Sequence, residues 1–173
     1  MIKVRSRVPG SCGELIQGEI EGIDFLISCP VNLYSTITVN LTRDFKGIKL
    51  EKKYYKARTA ARKILNHYQK NNWGVAIEIE SDLIPGKGMG SSTADISAVM
   101  GAMMFGFEKT IDYNLIKEII VRIEPSDSTF LPGINIFDHR EGKIQKKLNS
   151  FPEFDILMFV ERGKVNTLKF NQK

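Results

Sequence analysis

Cysteine is scarce in this 173-residue chain, with only Cys12 and Cys29. Their spacing fits no common zinc pattern, and one possible pair is not a disulfide framework. No run of about 18 apolar residues occurs, so no helix is expected to span a membrane. Met1 to Pro9 is charged and lacks the apolar stretch of a secretory signal. A reducing cytoplasm is the compartment these absences point to. Histidine is limited to His67 and His139, which stand apart and read as surface or helix-face residues rather than ligands. No internal repeat, low-complexity tract or obvious linker divides the chain, and its length fits one domain or slightly more.

Apolar residues make up 42% of the chain and charged residues 26%, enough to bury a sizeable core without staples. The formal net charge of +5 is unevenly spread. Between Lys49 and Lys70, Glu51 is the only acid among eight basic residues: Lys49, Lys52, Lys53, Lys56, Arg58, Arg62, Lys63 and Lys70. Such a segment can be a nucleic-acid footprint. Its helical spacing favours a solvated helix face.

Ile2 to Val8 alternates and reads as a strand, with Pro9-Gly10-Ser11 as a break. Gly13 to Gly18 fits a short helical turn or a strand. Phe25–Cys29 and Leu33–Val39 read as two strands separated by Pro30, and Phe45–Leu50 as a weaker one. Lys52–Gln69 is helical, with Ala57, Ala61, Ile64, Leu65 and Tyr68 on one face. Trp73 is expected to pack at a helix end. Gly74–Ser81 alternates as a strand with one wet face, Val75, Ile77 and Ile79 pointing inward. Ser91–Phe107 is a helix with Ile96, Val99, Met100, Met103, Met104 and Phe107 toward the core. Asp112–Ile123 is another, with Asp112 as N-cap and Pro125 as stop. Ile134–Phe137, Lys143–Leu148 and Asp155–Val160 read as short strands, with a turn at Arg140-Glu141-Gly142. Strands and helices mix without regular βαβ alternation, which favours an α+β fold.

The most informative stretch runs Ile84-Pro85-Gly86-Lys87-Gly88-Met89-Gly90-Ser91-Ser92-Thr93-Ala94-Asp95. It follows a strand and opens a helix. Glycines at alternate positions let the backbone turn tightly and approach a ligand. Ser91, Ser92 and Thr93 fall where first-turn amides lack partners within the helix, and the helix dipole adds partial positive charge. A phosphate suits that environment. Lys87 adds a positive charge, and a hydroxyl can ligate Mg²⁺. The bland alternative is a glycine-rich connection with Ser91 as an ordinary N-cap. The stretch is neither a Walker A loop nor a dinucleotide fingerprint, because both spacings are wrong.

This stretch resembles the second motif of the GHMP kinases, whose pattern is Pro-x-x-Gly-Leu-Gly-Ser-Ser-Ala. Met89 stands in place of Leu and Thr93 in place of Ala. Three further segments narrow the resemblance: Pro9-Gly10-Ser11-Cys12-Gly13-Glu14-Leu15-Ile16-Gln17-Gly18, then Ser28-Cys29-Pro30-Val31 with Tyr34-Ser35-Thr36, then Ile123-Glu124-Pro125-Ser126-Asp127-Ser128-Thr129. All are similar to the L-threonine kinase branch, which makes L-threonine O-3-phosphate for cobalamin biosynthesis.

The resemblance implies a GHMP kinase N-terminal domain, a mixed or antiparallel sheet packed with helices. It implies ATP phosphates held by Pro85, Gly86, Lys87, Gly88, Met89, Gly90, Ser91, Ser92 and Thr93. Ser92 becomes a Mg²⁺ ligand, with Glu124 as the second and Glu118 behind it. Asp127 becomes the residue that orients or deprotonates the acceptor hydroxyl, although the local pattern alone reads as a turn. Ser11 stands where galactokinase and mevalonate kinase carry Arg or Lys, so no cation is expected beside that base. Glu14 and Gln17 are assigned to the ammonium and carboxylate of a zwitterionic substrate.

Relatives continue into a second domain with a third glycine-rich motif. Residues 1–160 are therefore expected to form the ATP-binding domain, and 161–173 the start of a crossover. A separate C-terminal half or a second copy of the chain is the expected protein partner. The enzyme reading competes with a homoserine or other small-alcohol kinase, with a nucleotide-binding module lacking turnover, and more distantly with a nucleic-acid binder.

Overall fold

The computed structural model describes residues 1–148 and 155–160. Strands β1 (Ile2–Ile20) and β2 (Ile23–Thr42) form a long antiparallel hairpin. Its turn is Glu21-Gly22, both at positive φ (51° and 78°), which matches the twist of the flanking strands. After β3 (Gly47–Lys49), a 3₁₀ turn over Lys52–Tyr54 leads into α1 (Tyr55–His67). Then follow β4 (Gly74–Ser81), α2 (Ser91–Gly106), α3 (Tyr113–Val121), β5 (Asn135–Phe137) and β6 (Gln145–Lys147). The sheet order is β3-β4-β2-β5-β6, with β1 also paired to β2. Among the described residues only β3 and β4 run parallel, so the sheet is mixed and the fold α+β, as expected.

The prolines break neither strand. β1 continues through Pro9 and β2 through Pro30, because both sit at one irregularity where Pro9 faces Tyr34 and Ser11 faces Pro30. A bulge tolerates a residue that cannot donate to the ladder. Pairing then resumes, so Gly13–Gly18 is strand rather than helical turn, and the two expected β2 segments are one.

Ile37, Val39 and Leu41 alternate on β2 and are fully buried, facing Val75 and Ile77 of β4 and the helices. Helix α1 buries Ala57, Ala60, Ala61, Ile64 and Leu65 and leaves its other side wet. Helix α2 is buried on nearly every side, including Met100, Met103 and Met104, so it is the central helix rather than a one-faced one. Trp73 packs edge-on against Phe107 at the end of α2, 5.6 Å between ring centroids.

Asp112 caps α3 by accepting hydrogen bonds from the amides of Asn114 (2.9 Å) and Leu115 (3.0 Å). Removing that cap in Asp112→Ala is expected to cost about 1 kcal/mol, read as a drop of roughly 2–4 °C in the thermal midpoint.

Two further expectations fail. Asp155–Val160 forms no strand: no ladder from the described residues reaches it, and Leu157 and Phe159 are each 81% exposed. Its alternation serves packing without pairing, since Met158 lies against the Leu83, Met89 and Ala94 cluster. His139 is buried, and neither ring nitrogen has a hydrogen-bond partner among the described residues. Burial and the nearby charge of Arg140 hold its pKa below the usual histidine value. The turn it opens is fixed by Asp138, which accepts from the amides of Arg140, Glu141 and Lys143. The crossover expected over 161–173 lies outside the described residues. Among the described residues, no helix is long and apolar enough to cross a membrane.

Candidate functional site

The loop between β4 and α2 is shaped by its glycines. Gly86, Gly88 and Gly90 all have positive φ (74°, 70° and 62°), where a side chain is strained. Gly90, not Ser91, is the N-cap of α2, and no side-chain oxygen caps the helix. The first intrahelical bond runs from Ala94 N–H to Gly90 C=O (2.9 Å). The amides of Ser91, Ser92 and Thr93 thus precede the ladder and suit an anion. The loop is anchored from behind. Met89 is buried with Leu83 and Ala94, and its carbonyl accepts from Ser11 N–H (3.0 Å). Gly10 permits that approach: a Cβ there would lie 2.6 Å from the Met89 carbonyl oxygen.

Asp127 sits against the same loop. A Cβ on Gly90 would lie 2.6 Å from Asp127 Oδ2 and 3.2 Å from Ser11 Oγ. The position of Asp127 is set from two sides: its N–H donates to Thr93 Oγ1 (3.3 Å), and Ser28 Oγ donates to its Oδ1 (3.4 Å). Ser28 Oγ also accepts from Ser128 N–H (3.0 Å), fixing the turn that carries the aspartate. Burial, then the charge of Glu14, pushes the Asp127 carboxyl up to about 7, against the opposing effect of the Ser28 and Ser11 hydroxyls. Ser11 Oγ itself is buried without a hydrogen-bond partner, so its influence on Asp127 comes from proximity, not a formed bond.

A second cluster lies toward α1. Ser92 Oγ donates to Glu124 Oε1, while Lys56 Nζ lies 2.5 Å from Glu124 Oε2. Glu124 is buried, held just past α3 by its N–H bond to the Ile120 carbonyl (3.0 Å). Asp95, one turn along α2, accepts from Ser35 Oγ (2.5 Å). Its carboxyl is pushed up to about 6, by burial first and then by Glu124, with the Ser35 bond opposing. Ser91, Ser92, Asp95, Pro85, Lys53 and Lys56 line a cavity of about 420 Å³ between α1 and the loop. A larger groove of about 720 Å³ along β1 and α2 is mainly apolar and does not include the loop.

The structure therefore brings together Gly90, Ser92, Thr93, Glu124 and Asp127 from two separate segments. Met89 and Thr93 contribute backbone and positioning, since their side chains face inward. Gly86, Lys87 and Gly88 form the outer turn. Glu118 is exposed on α3. Glu14 is exposed on β1 opposite Ser28, and Gln17 pairs with Leu26 two residues along. The bulge between Glu14 and Ile16 sets both on one face of the strand despite their odd spacing. Lys56, Asp95 and the positioning role of Ser28 were not legible from local pattern. For Asp95 a signal existed, because it lies three and four residues after Ser92 and Ser91 and so shares their helix face.

A model of the GHMP kinase N-terminal domain matches residues 53–131. The chain is 32% identical over 170 residues to an L-threonine kinase of Citrobacter freundii, covering 96% of this chain and 57% of that protein. It is 34% identical over 156 residues to an L-threonine kinase of Salmonella typhimurium, covering 88% and 50%. It thus spans about half the length of these relatives. Among solved structures, the mevalonate kinase of Methanococcus jannaschii shares the fold at 17% identity, with a TM-score of 0.63 over 86% of this chain and 55% of that one. On these matches the chain contains a GHMP kinase N-terminal domain and carries the fold of that domain.

Proposed function

We propose that this chain is the nucleotide-binding half of a cytoplasmic, ATP-dependent kinase that transfers the γ-phosphate to the hydroxyl of L-threonine, giving L-threonine O-3-phosphate for cobalamin biosynthesis. The observation that carries this reading is the contact between Gly90 and Asp127, which sets a carboxylate directly beside the phosphate-binding amides. Phosphoryl transfer needs donor and acceptor aligned and charge neutralised, with little covalent chemistry from the protein.

In this reading the amides of Ser91, Ser92 and Thr93 hold the phosphates. Ser92 Oγ and Glu124 would hold Mg²⁺. The fit is chemical: both are hard oxygen donors, they already meet, and a cation already sits on the second Glu124 oxygen. When bound, Mg²⁺ neutralises charge on the transferring phosphate. Asp127 takes the proton of the threonine hydroxyl as its oxygen forms a bond to the γ-phosphorus and the bond to the β-phosphate oxygen breaks. With a pKa near 7 that carboxylate is a competent base at neutral pH. Glu14 suits the substrate ammonium, and Gln17 can donate to its carboxylate. Residues 1–160 form the ATP-binding domain.

Two measurements test the reading. Mg-ATP should bind the isolated chain, measured by calorimetry. Phosphate transfer from ATP should require L-threonine, with homoserine a poorer acceptor. A preference for homoserine would replace the substrate. Binding without transfer, even with the second half of the relatives supplied in trans, would favour a nucleotide-binding module, a reading prompted by the half-length match. An absence of nucleotide affinity in a folded chain would remove the proposal.

A further inference from the structure

We infer that Lys56 is a displaceable cation: it holds the Ser92–Glu124 pair closed until a divalent ion arrives, then yields Glu124 to that ion and turns its ammonium to the phosphates in the same cavity. This rests on the nucleotide reading above and adds to it a residue from a helix outside the glycine loop.

The geometry is specific. The two oxygens of Glu124 are divided between two partners, Oε1 to the Ser92 hydroxyl and Oε2 to the Lys56 ammonium at 2.5 Å. The Glu124 side chain is 8% exposed and that of Lys56 26%. A carboxylate so buried is costly unless paired. Any divalent ion on Ser92 and Glu124 would therefore compete with Lys56 for the same carboxylate.

Lys56 is also poorly placed for its own helix. It is the second residue of α1, where the dipole disfavours positive charge, and that first turn contains no acid. Its position is explained by what lies across the cavity. Lys53, Lys56, Ser91, Ser92 and Asp95 line one space of about 420 Å³. A compact ammonium on a flexible four-carbon stem can swing from Glu124 to an anion there without moving the helix. Asp95, bonded to Ser35, adds negative charge on the α2 side and retains cation demand when Lys56 leaves.

A purely structural ion pair would also tie α1 to the Glu124 turn, so the test must separate the two roles. In Lys56→Met, the thermal midpoint should rise several-fold more with MgCl₂ alone than in the unmodified chain, because the ion no longer competes with an ammonium. Mg-ATP affinity should fall by about tenfold, the loss of one charge-assisted contact to phosphate. A structural pair predicts no such opposite signs. Glu124→Gln should abolish the response to MgCl₂ in both backgrounds. Lys56→Arg guards against failure to fold: a guanidinium grips the carboxylate more firmly, and the Mg²⁺ concentration needed for half-maximal ATP binding should rise. A Lys56→Met protein that responds to MgCl₂ as the unmodified chain does, while the latter binds Mg-ATP normally, overturns this inference alone; so does a Mg²⁺ requirement unchanged in Lys56→Arg. If the unmodified chain fails to bind Mg-ATP, the nucleotide reading and this inference fall together.

Discussion

Asp127→Ala is expected to lower threonine-dependent phosphate transfer by about 10²–10⁴-fold, the usual contribution of a positioned general base, while Mg-ATP affinity is largely retained. The carboxylate is reached from the loop by Gly90 but makes no bond to the amides that would hold phosphate. Its loss should therefore fall on transfer rather than nucleotide binding. Initial rates at saturating ATP, with calorimetric titration of Mg-ATP beside them, check this. Unaltered transfer would strip Asp127 of its role. The pH dependence follows from the raised pKa. A base must be deprotonated, so transfer should rise with pH through about 7. Stability should move the other way. The folded state keeps the Asp127 proton up to about pH 7, whereas the unfolded chain releases it near 3.8. Between those values the unfolded state binds fewer protons, so stability falls as pH rises. Asp127→Asn should thus be more stable than the parent above neutrality, by up to about 4 kcal/mol, with the gap closing near pH 4. Denaturant unfolding at pH 4 and pH 8 measures the difference.

Gly90→Ala is the second large expectation. The substitution forces a side chain into left-handed backbone at φ 62° and brings a Cβ within 2.6 Å of Asp127 Oδ2. The conformational cost alone is about 1–2 kcal/mol. The overlap must also displace either the loop or a carboxylate held by the Ser28 hydroxyl, on a backbone held by Thr93. Mg-ATP affinity should fall by roughly 10–100-fold, since shifted amides no longer converge on one anion, and transfer should fall further. Gly88→Ala supplies the contrast. Its φ of 70° is equally unfavourable, yet nothing lies within 4 Å of the added atom. It should show the conformational cost with a far smaller effect on binding. Equal losses in both variants would mean that crowding at Asp127 is immaterial.

Much of this arrangement was legible in the sequence because it is local. The Gly86-x-Gly88-x-Gly90 spacing, the Asp112 cap and the alternation over Gly74–Ser81 each depend on neighbours a few residues away. What escaped depends on distant pairing. Pro9 and Pro30 look like breaks until they are seen to share one bulge. His139 looks like a surface residue until the fold encloses it. Lys56 reads as one of many exposed lysines in a basic helix, and only tertiary packing sets it on Glu124, 68 residues along the chain. Arg58 was likewise absorbed by the fold, since its guanidinium donates to the carbonyls of Ile48 and Leu50 and ties α1 to the sheet edge. The basic run is thus partly structural and partly turned to the cavity. Asp155–Val160 shows the converse: alternation alone makes no strand without a ladder.

The tether between Ser11 N–H and the Met89 carbonyl bears on how a nucleotide would come and go. With Met89 seated among Leu83 and Ala94 behind it, the loop is not built to lift like a flap. Its cradle exists before ligand arrives, so little ordering entropy is spent on capture. Slow exchange of the Ser11 amide with heavy water, unchanged by added nucleotide, would report a seat that stays rigid while its guest changes.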